Sequence, residues 1–249
     1  MNWLKIVEFD QPSGLIQTHR LEATFLDGQQ SDRPVNRLLQ FRSPGMNLMP
    51  STPDAFQTPA MILGSFILLL WILEAVDQLL LQNRLNRLGI RPRHQQGLRG
   101  ILFAPLLHGT WGHLSANTVP LLVLGWLVML GGIREFAIAT ITTWLISGLG
   151  VWLFGGSNTL HIGASGLVFG YFGFLLSRSY FEYNPVSAGV AVLVALIYGP
   201  LIWGVFPFRR GISWQGHLFG FIGGVLAARY LPELQQWFTK LETLWRSVT

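Results

Sequence analysis

The 249-residue sequence contains no cysteine, and only 12% of it is charged. The first absence excludes a disulfide scaffold, a thiolate nucleophile and cysteine-ligated zinc. The second is about half the charge of an ordinary soluble domain and argues against a water-soluble globule. Disorder requires high charge and few aromatics, and this chain is 50% hydrophobic and 13% aromatic. The net charge of +5 is scattered. No run of five or six like charges marks a nucleic-acid arm, so no nucleic-acid partner is expected. The chain also starts without an apolar signal-peptide core. What is abundant is apolar residues, together with 28 Gly and 10 Trp.

A bilayer core takes about 20 mostly apolar residues per helix. Six stretches qualify: residues 60–81, 113–133, 136–154, 160–176, 186–205 and 214–230. They predict an all-α polytopic membrane protein with a membrane domain over residues 60–231. Gly216, Gly220 and Gly224 repeat every fourth position of the sixth stretch, and Gly166, Gly170 and Gly173 do much the same in the fourth. Small residues at that spacing let helix backbones approach closely in a membrane. Residues 1–59 are polar and end in Pro44, Pro50, Pro53 and Pro59, which reads as a cytoplasmic extension followed by a linker. In residues 232–249, Leu234, Trp237, Phe238, Leu241, Leu244, Trp245 and Val248 fall at helical spacing. That segment is expected as an amphipathic helix, lying on the membrane surface or packed on the bundle. Orientation is not fixed by charge. With the N-terminus inside, ten Lys and Arg lie inside and seven outside, but near the spans the two sides are almost level.

Polar groups inside spans are costly and mark function. Ser165 lies near the start of the fourth stretch and His217 near the start of the sixth, while His113 and Asn117 lie in the first turns of the second. Alternate spans run in the same direction, so these ends share one face of the membrane. At about 1.5 Å rise per residue, all four groups lie within roughly 10 Å of that face and can converge. A hydroxyl within reach of an imidazole is a base-activated nucleophile. His113 and Asn117, at i and i+4, share one helix face and can donate to a developing oxyanion. Backbone N–H groups at the helix start around Ser165 add further donors.

Three blocks then resemble the rhomboid intramembrane serine proteases. His108-Gly109-Thr110-Trp111-Gly112-His113-Leu114-Ser115-Ala116-Asn117 is similar to the family's H-x4-H-x3-N, Gly163-Ala164-Ser165-Gly166 to its G-x-S-G, and His217-Leu218-Phe219-Gly220-Phe221-Ile222-Gly223-Gly224 to its H-x2-G-x3-G. The turn Gly131-Gly132-Ile133-Arg134-Glu135 is also similar. The resemblance implies a six-transmembrane-helix rhomboid-like bundle and cleavage of transmembrane protein substrates near the non-cytoplasmic face, without a cofactor. It implies a Ser–His dyad of Ser165 as nucleophile and His217 as base, with His113, Asn117 and the Ser165 N–H as the oxyanion hole. Gly163, Gly166 and Gly220 flank the pair, and His108 is expected as a hydrogen-bonding support. Both termini are expected in the cytoplasm, and the membrane is expected to be the cell membrane.

Two departures stand out. Phe169 occupies the position where many rhomboids have a Tyr supporting the catalytic His; stacking survives but the hydroxyl does not. The family's Trp-Arg pair in the first loop is absent, the sequence there being Gly89-Ile90-Arg91-Pro92-Arg93.

The same residues admit other readings. Glu74 or Asp77 could orient His217 as a third member, or cap the membrane interface beside Arg84 and Arg87. His161 reads as an interfacial loop residue. His108, His113 and His217 could ligate zinc, but the H-E-x-x-H signature is missing. A rhomboid-like protein that binds transmembrane segments without cleaving them is the alternative function. A transporter would want charged residues deep in several helices or helices broken at the midplane.

Overall fold

The structure, a computed structural model, describes residues 54–208 and 211–248. The extension expected over residues 1–59 lies almost wholly outside them. Among the described residues nine α-helices follow in chain order. The first is α1 (Asp54–Leu79), and a loop containing the short α2 (Gln95–Leu98) and α3 (Gly100–Phe103) follows it. Then come α4 (Trp111–Met129), α5 (Ile133–Phe154), α6 (Ser165–Glu182), α7 (Pro185–Tyr198), α8 (Trp214–Arg229) and α9 (Leu231–Val248). Among the described residues no strand forms; the pairing of Ile90 with His161 is an isolated bridge.

Among the described residues four segments are long and apolar enough to cross a bilayer: Gln57–Leu79, Trp111–Met129, Ile133–Phe154 and Pro185–Val205. Six were expected. The two that fall short are α6, which carries Ser177, Arg178 and Glu182, and α8, which has 16 residues. Their position explains the composition. Leu167, Tyr171, Phe172 and Phe174 of α6 are fully buried, and α8 packs along α6 through Gly220 and Gly224. Helices surrounded by protein need not match lipid with apolar side chains. The lipid-like composition falls instead on the outer α1 and α7, whose large apolar residues Leu68, Ile72, Leu196 and Ile197 are exposed.

Three boundaries differ from the periodicity. The fourth apolar stretch forms α6, which starts at Ser165 rather than residue 160, because Gly163 takes φ +116°, which no right-handed helix admits. The fifth ends as an α-helix at Tyr198 and continues as a 3₁₀ turn, Gly199–Val205, since Pro200 lacks the N–H a helix would use. The last helix starts at Leu231. Leu234 and Phe238 of α9 pack on the core while Trp237, Leu241 and Leu244 stay exposed, and Glu242 pairs with Arg134 of α5 at 3.0 Å. The helix is thus packed along one edge and open along the other.

The crossing of α6 and α8 is backbone on backbone. A Cβ at Gly220 would collide with the Gly166 carbonyl oxygen, and one at Gly224 with that of Gly170. Neither obstacle can swing away. A Gly220→Val protein is therefore expected to lose at least about 1–3 kcal/mol, the range for overpacking, read as a lower unfolding midpoint in detergent. Gly189→Ala, where an added Cβ meets nothing within 4 Å, should hold or raise it.

Candidate active site

Ser165 is the first residue of α6, with Ala164 at the N-cap position making no side-chain cap and the left-handed Gly163 before it. The peptide N–H groups at this helix start precede the first intrahelical donor, Leu167, and project free partial positive charge. Thr110 caps α4 by accepting the His113 N–H at 3.1 Å, which sets His113 in the first turn. The His113 ring occupies the space where a Gly163 side chain would be: a Cβ there would lie 2.6 Å from its Cε1. Asn117, one turn further on, is buried and donates one amide hydrogen to the His113 carbonyl at 3.2 Å.

His217 sits one turn into α8, behind the cap Ser213. Its Nδ1 lies 2.9 Å from the Gly204 carbonyl oxygen and its Nε2 2.9 Å from Ser165 Oγ. A carbonyl only accepts, so Nδ1 carries the proton and Nε2 presents its lone pair to the serine hydroxyl. Phe169 stacks on the imidazole, centroids 4.0 Å apart and planes 6° from parallel. Gly204 has no room for a side chain; a Cβ would lie 2.6 Å from Phe169 and 3.2 Å from His217 Nδ1. Ser165, His217, His113, Asn117 and Phe169 line one open cleft of about 810 Å³.

With that cleft in place, the family can be read directly: the Rhomboid domain model matches residues 95–233. The chain belongs to the rhomboid family. The match contains every residue of the cleft just described. Relatives include uncharacterised proteins of Mycobacterium tuberculosis and Mycobacterium bovis, each 44% identical over 197 residues, covering 73% of this chain and 82% of theirs. A Mycobacterium leprae relative is 44% identical over 175 residues, covering 67% of this rhomboid and 69% of its own length.

The remaining candidates divide. No acid orients His217, since the Gly204 carbonyl holds the position a carboxylate would take. Glu74 accepts from Gln78, and Asp77 Oδ1 accepts the Leu85 N–H at 2.8 Å, closing the turn after α1. Neither acid pairs with Arg84 or Arg87; the ion pairs among the described residues are Arg134–Glu242, Arg178–Glu135 and Arg178–Glu182.

His108 is buried just before α4. Its Nε2 accepts the Ala164 N–H at 3.4 Å and its ring meets His113 edge-on. Burial, then the neighbouring His113, pushes its pKa down to about 3, so it stays neutral and steadies the peptide leading to Ser165. His108, His113 and His217 do not come together as a metal-binding group; none exists among the described residues.

Two features escaped the sequence reading. Arg93 anchors the first loop by donating to the Leu153 carbonyl at 2.9 Å and to Ser157 Oγ at 2.7 Å, a job that its place among loop arginines did not reveal. His161 is in a loop, as expected, but is buried and bonded on both ring nitrogens, to Thr159 and Ser213.

Proposed function

We propose that this rhomboid is an intramembrane serine endopeptidase that cleaves transmembrane protein substrates near the non-cytoplasmic face through a Ser165–His217 dyad. The observation that carries this reading is the pair of contacts at His217: with Nδ1 on the Gly204 carbonyl, which only accepts, Nε2 is left to accept the Ser165 proton. A binding-only protein has no use for a hydroxyl aligned on an unprotonated ring nitrogen.

A substrate segment enters the cleft and unwinds. Ser165 Oγ attacks the scissile carbonyl carbon as its proton passes to His217 Nε2, and the imidazolium then gives that proton to the leaving amine. Water, deprotonated by the same nitrogen, releases the acyl group. Negative charge on the tetrahedral oxygen is met by the Ser165 N–H, His113 and the second amide hydrogen of Asn117. Phe169 and Gly204 hold the imidazole on both sides of this proton transfer. The step draws on no cofactor. In this reading α6 and α8 also cross the membrane, giving six spans, with both termini in the cytoplasm and the exposed edge of α9 lying on the bilayer surface.

The deciding experiment places purified full-length protein and a transmembrane reporter peptide in the same vesicles. The wild type should cleave it and Ser165→Ala should not; equal cleavage by both would defeat the dyad. A reporter fused after Thr249 should be active in the cytoplasm, and an external signal would reverse the assigned face.

A further inference from the structure

The segment entering α6 and the start of α8 are joined by two bonds, not one. His161 precedes Ser165 by four residues, and Ser213 precedes His217 by four. His217 Nε2 meets Ser165 Oγ at 2.9 Å, and His161 Nδ1 meets Ser213 Oγ at 2.6 Å. Each segment thus contributes one serine and one histidine, and the two cross-pairs form a ladder with two rungs.

The second rung has a fixed direction. Thr159 Oγ1 spends its proton on the Gly156 carbonyl at 2.6 Å, so toward His161 Nε2, 2.7 Å away, it can only accept. The neutral ring therefore carries its proton on Nε2, and Nδ1 accepts from Ser213 O–H. Ser213 Oγ in turn accepts the Gly216 N–H at 3.4 Å as the cap of α8, and its carbonyl accepts the His217 N–H at 3.2 Å. Burial lowers the His161 pKa, which keeps the ring neutral and the direction intact. The backbone of His161 is itself pinned, exchanging both hydrogen bonds with Ile90 at 2.9 and 3.0 Å.

We infer that His161 is a positioning residue: through Ser213 it sets the first turn of α8, and so the distance of His217 from Ser165. This rests on the dyad reading above. Ser213, though hydrogen-bonded to an imidazole, is not a second nucleophile here, because its oxygen is occupied as a helix cap.

Displacing a catalytic group by about 1 Å costs on the order of 10²-fold. His161→Leu is therefore expected to lower kcat about 10- to 100-fold with KM nearly unchanged, because His161 lines the cleft but spends both ring nitrogens on Thr159 and Ser213 rather than on substrate. Ser213→Ala should do the same, and the double variant should be no worse than the more damaged single one. His161→Gln, whose amide can accept from Ser213 and donate to Thr159, should recover part of the loss. Nitrogen-15 histidine spectra of the full-length protein supply a readout independent of cleavage. His161 should show a protonated Nε2 and bare Nδ1, and the His217 Nε2 resonance should move in His161→Leu.

If the wild type cleaves nothing, the dyad reading fails while the spectra still judge the ladder. An Nδ1-protonated His161, an unmoved His217 signal, additive losses in the double variant, or fluorophosphonate labelling of Ser213 in Ser165→Ala would each overturn the inference.

Discussion

His217→Ala is expected to abolish labelling of Ser165 by a fluorophosphonate and to reduce turnover of a transmembrane reporter on the order of 10⁶-fold, the loss seen when a serine protease loses its base. A serine hydroxyl at its ordinary pKa is a poor nucleophile, and its reactivity depends on a base already aligned on the proton. Only one ring in the cleft meets that requirement. His113 lies against Gly163, both nitrogens of His161 are engaged, and His108 is committed to the Ala164 N–H. No neighbour can therefore substitute. Because serine and histidine act as a unit, Ser165→Ala should be as damaging and the double variant no worse. Mass spectrometry of the labelled serine together with a gel-based cleavage assay provides the check. Retained labelling at Ser165 in His217→Ala would mean the contact at 2.9 Å is structural.

The site was more legible than the bundle that holds it. Ser165, His217, His113 and Asn117 could be brought together from helix direction alone, because the starts of alternate helices must share a face. The partner of His217 could not. Gly204 acts through its carbonyl from a 3₁₀ turn 13 residues upstream, and a backbone oxygen leaves no mark in sequence. That is why Glu74 and Asp77 drew attention: carboxylates are visible in a sequence and carbonyls are not.

The start of α6 was misplaced by five residues because Leu160 and Ile162 extend the apolar run through what is a loop. Backbone conformation at Gly163, not hydropathy, sets that boundary. The four-residue offset shared by His161–Ser165 and Ser213–His217 was present in the sequence, but offset alone does not say which segments lie side by side. Among the described residues composition supports four spans rather than six for a related reason. Hydropathy reports contact with lipid, and α6 and α8 mostly touch protein, so the helices carrying the proposed dyad are those that composition describes least well.

Gly163→Ala is the second large effect, and it separates oxyanion stabilisation from the dyad. The residue stands at φ +116°, where an L side chain is strained by about 1–3 kcal/mol. Its Cβ would lie 2.6 and 2.8 Å from two atoms of the His113 ring, so the ring must leave its place. His217 and Ser165 are untouched by that displacement. The expected result is a kcat lower by about 10²- to 10³-fold, the loss on removing one oxyanion donor, with KM little changed and Ser165 still labelled, though slowly. Asn117→Ala should fall in the same range. The sharper comparison adds His113→Ala to the Gly163→Ala background. If alanine at 163 acts by expelling the ring, removing the ring costs almost nothing more. If instead the second change imposes its full separate loss, or if Gly163→Ala stays within threefold of wild type, His113 does not stabilise the oxyanion, and the helix-start N–H groups with Asn117 must carry that charge alone.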